Sequence, residues 1–406
     1  MKCKVCNGEM HKVIDFGKMP IANGFLNRKD FDNEYFYNMS TAVCKRCFMF
    51  QLIDQPSKEM MFNESYAFFT HTSKSMIKHF ENFFDTVNSL FLNKINNPFI
   101  VEIGSNDGST LVNFKKNNLD HLGVEPSKNV ADYSKNINNI NTLNNFFDLD
   151  VSKTIKQKYR NADLIFATNV FCHIPYVHSI IEGVKYLLKD EGVFIFEDPY
   201  LGDVLNKTTF DQIYDEHFFL FSLTSAINLF NSHNMKIFKV EKQDTHGGSM
   251  RYYVSKDVNK KIEDSVDNYL EIEKNMQIDN LQIYNNFRDN CEIFKTNFRD
   301  FLLDIKKKGK SIAGYAATSK STTILNYCNI DNNTIDHIYD TTPIKINKYS
   351  PGTHIPILEH RDLYKKLPDY LLLFAYNHEK EILNKEQKFI SLGGKWITYV
   401  PEIKII

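Results

Sequence analysis

Residues 99–111 read Phe-Ile-Val-Glu-Ile-Gly-Ser-Asn-Asp-Gly-Ser-Thr-Leu, and no other segment limits the fold so strongly. Apolar Phe99, Ile100, Val101 and Ile103 predict a buried strand, Gly104 to Gly108 a tight loop, and the residues from about Ser109 a helix. Strand, glycine loop and helix in that order place a ligand at the carboxyl edge of a parallel sheet. A second strand ends at Glu125, twenty-one residues beyond Gly104, where an acid can accept hydrogen bonds from both ribose hydroxyls. The loop is G-x-N-D-G and not G-x-G-x-x-G, so Asn106 and Asp107 crowd and repel a dinucleotide pyrophosphate. Acid in this loop suits a cationic or zwitterionic ligand such as S-adenosylmethionine. Glu102, Gly104, Asn106, Asp107, Gly108, Glu125 and Pro126 are expected to surround it, with Asn169 arriving from the end of the strand 162–169. The alternative is an α/β domain that uses the glycines only to turn.

Further segments keep the same alternation. A helix from near Tyr176 carries Ile180, Ile181, Val184 and Leu187–Leu188 inward, and Gly192–Pro199 reads as the next strand. Strand, helix and strand in turn predict a largely parallel sheet.

The N-terminus brings different chemistry. Cys3-Lys-Val-Cys6 and Cys44-Lys-Arg-Cys47 are two C-x-x-C knuckles separated by 37 residues. A two-residue gap lets both thiolates of a knuckle reach one ion, and two knuckles complete a tetrahedral four-cysteine zinc site. Two disulfides or a redox pair are the alternatives. A reducing compartment and the lack of a βαβ context around the cysteines favour zinc. With all four ligands supplied by protein the metal is structural, a staple for a small β-rich lobe.

Tyr214-Asp215-Glu216-His217 lies inside an apolar surround, Thr209 to Ser222. Burial beside aromatics keeps His217 neutral, and a neighbouring carboxylate is expected to raise its basicity again. A general base can be built that way, although spacing alone favours a core histidine with its ring satisfied by backbone. Thr245-His-Gly-Gly-Ser-Met-Arg251 reads either as a turn approaching a phosphate or sugar, or as a plain hairpin turn.

Residues 256–308 are rich in Lys, Asp, Glu and Asn, with Tyr284, Phe287, Cys291, Phe294 and Phe298 at helical spacing. They predict long helices with an aromatic core stripe and a solvated charged face. Beyond them Lys310–Leu325 repeats the order of strand, loop and helix, and strands are expected at 335–339, 370–375 and 396–399. Gly314-x4-Ser319-Lys320-Ser321 differs from a P-loop by Ser319 in place of the second glycine. Hydrolysis is not expected, but a helix N-terminus lined by Thr318, Ser319 and Ser321 can hold a sugar-nucleotide pyrophosphate.

Charge adds one exclusion. Lys+Arg 49 against Asp+Glu 50 leaves a net charge of −1, which argues against a nucleic-acid binder relying on a global basic field. No run of about 18 apolar residues occurs, so no membrane span is expected. The opening MKCKVCNGEM has no apolar core of a secretion signal, and a cytoplasmic location follows as the expectation. A monomer is compatible with every motif.

The two knuckles, VEIGSNDGSTL, NVFCHIP, EDPYLGDVLNKTTFDQIYDEHFFLFS, THGGSMRYY and SIAGYAATSKSTTILNYC together resemble the sugar C-3′-methyltransferases over essentially the whole chain. That resemblance implies transfer of a methyl group from S-adenosylmethionine to C3′ of a nucleotide-linked 4-keto-6-deoxysugar. It implies His217 as the base, with Tyr214 and Glu216 beside it, and His173 and Tyr66 as further active-site positions. It also makes the C-terminal domain one wall of the substrate cleft. The O-methylation of a nucleotide sugar or glycan uses a similar base, so the histidine alone does not separate the two reactions. The expected fold class is α/β: a Rossmann-like class I methyltransferase domain (71–255) with an N-terminal four-cysteine zinc lobe (1–70), a helical linker (256–308) and a second, C-terminal Rossmann-like domain (309–406).

Overall fold

A computed structural model describes residues 1–406. The first lobe is a small antiparallel sheet of β1 (Met10–Pro20), β2 (Phe36–Cys44) and β3 (Phe50–Leu52). Register explains how two knuckles so far apart in sequence meet. Met10 pairs with Cys44, which sets Cys3 and Cys6, just before β1, against Cys44 and Cys47 around the β2–β3 turn.

The middle unit contains β4 (Phe99–Ile103), β5 (Asp120–Val124), β6 (Thr142–Leu143), β7 (Ala162–Thr168) and β8 (Leu188–Pro199). β9 (Phe219–Leu220) then leaves that sheet and pairs antiparallel with β3, extending the first lobe. β10 (Lys236–Gln243) and β11 (Ser249–Ser255) return as a hairpin against β8. The resulting order is β10-β11-β8-β7-β4-β5-β6, with β6, β5, β4, β7 and β8 parallel. The strand order reverses between β4 and β7, and ligands of such sheets bind in the crevice beyond that point.

Helices Asp264–Asn275 and Leu281–Lys307 follow, the second burying Tyr284, Phe287, Cys291 and Phe298 as the spacing predicts. The charged face is not wholly solvated. Glu273 is buried, where it accepts hydrogen bonds from the N–H groups of Leu223 and Thr224 and from the Tyr200 hydroxyl. Among the charged residues of the first helix, this one carboxylate caps the neighbouring helix that begins at Leu223.

The last unit is a six-stranded sheet of β12 (Ile312–Tyr315), β13 (Ile338–Asp340), β14 (Ile357–Glu359), β15 (Tyr370–Leu373), β16 (Lys395–Thr398) and β17 (Lys404–Ile405). Its order is β14-β13-β12-β15-β16-β17, parallel except for β17. The two-Rossmann α/β architecture expected from the sequence is therefore present. No helix is long and apolar enough to cross a membrane.

Candidate active site

The reversal point of the middle sheet opens into a cavity lined by Glu102, Gly104, Ser105, Asn106, Glu125, Pro126, Thr168 and Asn169 from the strand ends. The same cavity is lined by apolar Phe62, Phe68, Met76, Phe80, Phe146 and Phe147. Gly104 has φ +67, and a Cβ there would lie 2.4 Å from a Val170 methyl, so glycine alone fits. Glu125 accepts the backbone N–H groups of Asn106 (2.9 Å) and Ser127 (2.8 Å), which fixes the loop against β5. Burial nevertheless raises its pKa to about 7, and it raises that of Glu102 well above the usual carboxylate range.

Glu102 Oε2, Ser105 Oγ and Asn169 Oδ1 are enclosed in the cavity wall without protein partners. Buried polar atoms left in that state call for a ligand. Acids and aromatic rings in one cavity suit a cationic, adenine-bearing molecule, and S-adenosylmethionine meets both requirements. Two of the expected residues lie elsewhere. Asp107 is turned inward, where its carboxylate accepts from His71 N (2.9 Å) and Ser109 Oγ (2.6 Å), and Gly108 packs toward Ser134 and Ile140. Both shape the loop and neither lines the cavity. Local sequence could not separate Asn106 from Asp107, because only the fold decides which of two neighbours faces inward.

Tyr66 and His173 stand at the edge of this cavity, with Tyr214, Glu216 and His217 behind them. Rings of Phe62, His173, His217 and Tyr214 form a stack, His173 and His217 lying 5.3 Å apart and Tyr214 and His217 4.0 Å apart. His217 Nδ1 lies 2.6 Å from the Gln212 carbonyl, which can only accept, so the proton sits on Nδ1 and the lone pair on Nε2. The Tyr214 hydroxyl lies 2.7 Å from that Nε2. Burial, reinforced by His173, His246 and Lys320, pushes the His217 pKa well below the usual imidazole value. Desolvation alone takes His173 down to about 3, and its Nε2 has no partner. Both rings are neutral at physiological pH.

The neighbouring carboxylate expected to restore basicity is not beside the ring. Glu216 instead accepts from Asn23 Nδ2 (2.6 Å) and the Tyr66 hydroxyl (2.9 Å), and Asp215 from Ala22 N (2.9 Å). Residues 214–217 form a turn closed by His217 N–H donating to Tyr214 O (2.9 Å), which sends successive side chains in different directions, so the block splits. Its acids grip the first lobe and its histidine ring packs on His173 of the cavity wall. Burial and the adjacent Glu216 raise the Asp215 pKa to about 8.

His246 occupies a turn between β10 and β11, as the hairpin reading predicts, and it also lines the cavity. Arg251 is not free for a phosphate. It is buried with its guanidinium 2.9 Å from Glu197, whose other oxygen meets His79 at 2.7 Å.

In the first lobe Cys3 and Cys47 sulfurs lie 3.6 Å apart and those of Cys6 and Cys44 3.4 Å apart, none joined as a disulfide. The four sulfur atoms lie within 4.8 Å of one another, a set that fits one tetrahedral zinc ion. Val5 N–H points at Cys3 Sγ and Arg46 N–H at Cys44 Sγ, donors that favour thiolates. The metal is structural.

Comparison with known proteins finds three family models in succession along the chain. A family model described as a zinc binding domain matches residues 3–62, a methyltransferase domain matches 76–240, and a C-methyltransferase C-terminal domain matches 244–401. The chain is 31% identical to the C-methyltransferase NovU of Streptomyces niveus over 411 residues, covering 100% of this chain and 96% of that protein. Among solved structures, the plantazolicin methyltransferase BpumL in complex with SAH is 14% identical, covering 43% of this chain and 82% of its own, with a TM-score of 0.34. The magnesium protoporphyrin IX methyltransferase of Synechocystis PCC 6803 is 11% identical, covering 44% of this chain and 80% of its own, with a TM-score of 0.33.

Proposed function

The chain belongs to the S-adenosylmethionine-dependent C-methyltransferase family, and on that premise we propose that it methylates C3′ of a nucleotide-diphosphate-linked 4-keto-6-deoxysugar. The observation that carries this reading is His217, whose tautomer leaves an unprotonated Nε2 and whose ring stacks 5.3 Å from His173, a residue of the cavity wall. A carbon nucleophile needs an acidic C–H, and a ketone at C4′ supplies one. His217 Nε2 takes the C3′ proton, and the pair of electrons left behind forms an enolate with its charge on the C4′ oxygen. The Tyr214 hydroxyl, displaced from Nε2 by the substrate, donates to that oxygen, with His173 on the other face. Glu102, Asn106, Glu125 and Asn169 hold the cofactor, which supplies an electrophilic sulfonium methyl when bound. Tyr66 and Asn23 hold Glu216 and so keep the 214–217 segment in place.

We assign residues 1–70 to the zinc lobe, 71–255 to cofactor binding and the base, 256–308 to a helical linker and 309–406 to the far wall of the cleft. The test is His217→Asn, assayed with a panel of dTDP- and GDP-linked 4-keto sugars and labelled methyl donor. Loss of a general base lowers the rate by about 10²–10⁴-fold. Both methylation and solvent deuterium exchange at C3′ disappear while cofactor binding persists. Exchange retained in the variant removes His217 from the role, and a product methyl with a methoxy NMR shift replaces C- by O-methylation.

A further inference from the structure

Cys172, His173 and His217 bring together a second set of metal-ligating side chains, apart from the four sulfurs of the first lobe. One donor atom from each lies within 4.8 Å of the other two. A single 3₁₀ turn, Phe171–His173, follows β7. It buries the Cys172 side chain and leaves His173 in the cavity wall, which gives an ion its way in. His217 arrives from the turn 214–217 with its Nδ1 proton committed to the Gln212 carbonyl and its lone pair on Nε2.

The donors are in the form that binds metal. Neutral imidazole is the ligating state, and burial keeps both rings neutral, His173 at about 3 and His217 well below its ordinary value. His173 Nε2 is enclosed without a partner. Two imidazoles on one tetrahedral zinc ion, each bound at about 2.0–2.1 Å, put their ring centres about 5 Å apart. The His173 and His217 rings stand 5.3 Å apart. A carboxyl adjoins the set, since Asp198 accepts the Cys172 N–H (3.0 Å) and its Oδ1 is buried and unpartnered. Burial raises the Cys172 thiol and the Asp198 carboxyl, and a cation beside them reverses that by favouring both anions.

We propose that Cys172, His173 and His217 bind one divalent ion of the zinc class, and that this ion blocks the active site by taking the lone pair of His217. The blocking rests on the reading of His217 as the base, whereas the binding does not. One thiolate and two imidazoles select zinc over magnesium and calcium, which take oxygen ligands. As the sulfur–zinc bond forms, the thiol proton leaves to solvent. The Tyr214 hydroxyl, 2.7 Å from Nε2, gives up its place to the ion. Three protein donors leave a fourth position open, so this ion is held less firmly than one on the closed four-sulfur set.

The test starts from full-length protein whose first lobe is already loaded with zinc. Equilibrium dialysis against Zn²⁺ then shows uptake of one further ion per chain. Cys172→Ala weakens that ion by roughly 100-fold or more, because even the outer partners of a ligand are worth about 10–100-fold. Cys172→Ser, which keeps a polar group beside Asp198, does the same and serves if the alanine variant folds poorly. Co²⁺ added to the zinc-loaded protein gives a sulfur-to-cobalt charge-transfer band in wild type and none in either variant. Mg²⁺ is not taken up. Added Zn²⁺ stops solvent deuterium exchange at C3′ of a 4-keto sugar in wild type, and dialysis restores it. Each variant, compared with its own rate before zinc, keeps exchanging. No further ion in wild type, or one that both variants retain, overturns the site. A further ion that leaves exchange running overturns the blocking of His217. Wild-type protein that catalyses no exchange before zinc is added overturns the reading of His217 as the base, and the dialysis result then stands apart from it.

Discussion

The two α/β units share more than a strand count. Each runs 3-2-1-4-5 from its first strand, β4 in one and β12 in the other. Each leaves that strand through a left-handed residue, Gly104 at φ +67 and Ala316 at φ +71. Each ends its second strand in an acid that clamps the loop. Glu125 accepts from Asn106 N and Ser127 N, and Asp340 accepts from Ala317 N and Thr342 N, both at 2.7 Å. The crevices differ in charge. One gathers Glu102 and Glu125, and the other buries Lys320. Topology therefore sets where a ligand sits, and a few side chains at the reversal point decide its sign.

Gly104→Ala breaks the comparison most severely. A left-handed alanine costs about 1–2 kcal/mol, and a Cβ at 2.4 Å from Val170 adds roughly 1–3 kcal/mol of overpacking. Urea unfolding is expected to show the combined loss, with cofactor binding abolished. Wild-type stability in this variant would mean that the loop tolerates a shape the geometry forbids.

Glu125 gives the next largest effect. Its pKa of about 7, raised by burial from 4.5, means the folded protein binds more protons than the unfolded chain between those values. Its contribution to stability therefore declines as pH rises through that window. Ribose hydroxyls donating to the carboxylate favour the anion, so cofactor affinity falls by up to about tenfold per unit as pH drops below about 7. Glu125→Gln flattens that profile and binds more weakly. An unchanged pH dependence in the variant separates Glu125 from the cofactor.

Thr323→Val removes the hydroxyl that joins the C-terminal helix to Ile213 O. About 0.5–1.5 kcal/mol of stability is lost, and the methylation rate falls more than cofactor affinity because the 210–217 segment loosens. Equal losses in both would place the effect in global stability. Ala316→Gly is the mildest. Relief of about 1–2 kcal/mol of left-handed strain is offset by about 0.4–1 kcal/mol of unfolded-chain entropy. A net gain of roughly 0.5 kcal/mol in urea unfolding is expected, opposite in sign to Gly104→Ala.

What the sequence made legible was local. Residues 99–111 predict strand, loop and helix because every determinant lies within one turn of its neighbour, and the C-x-x-C pairs carry their geometry in their spacing. The α/β reading of residues 310–399 holds for the same reason. Contacts between distant segments leave no such trace. Asn23 on Glu216 and Ala22 on Asp215 join positions almost two hundred residues apart, so the acids beside His217 could not be told from acids acting on it. Lys320 was visible only as part of a failed P-loop, since nothing in its neighbours announces that it is buried. Burial is a property of the assembled fold, and it turns an ordinary lysine into a distinctive one.

The strand β9 has a consequence for how the molecule is made. Phe50 and Gln51 of β3 wait for Leu220 and Phe219, which leave the ribosome some 170 residues later, a delay of about 10–30 s at ordinary synthesis rates. During that interval β3 presents an unpaired edge, the sort of surface that recruits other chains. A metal closing the β1–β2 hairpin holds the nascent lobe in register until its last strand arrives. A zinc ion on the four cysteine sulfurs would thus join the chain before β1 to the β2–β3 turn well before Phe219 and Leu220 are made.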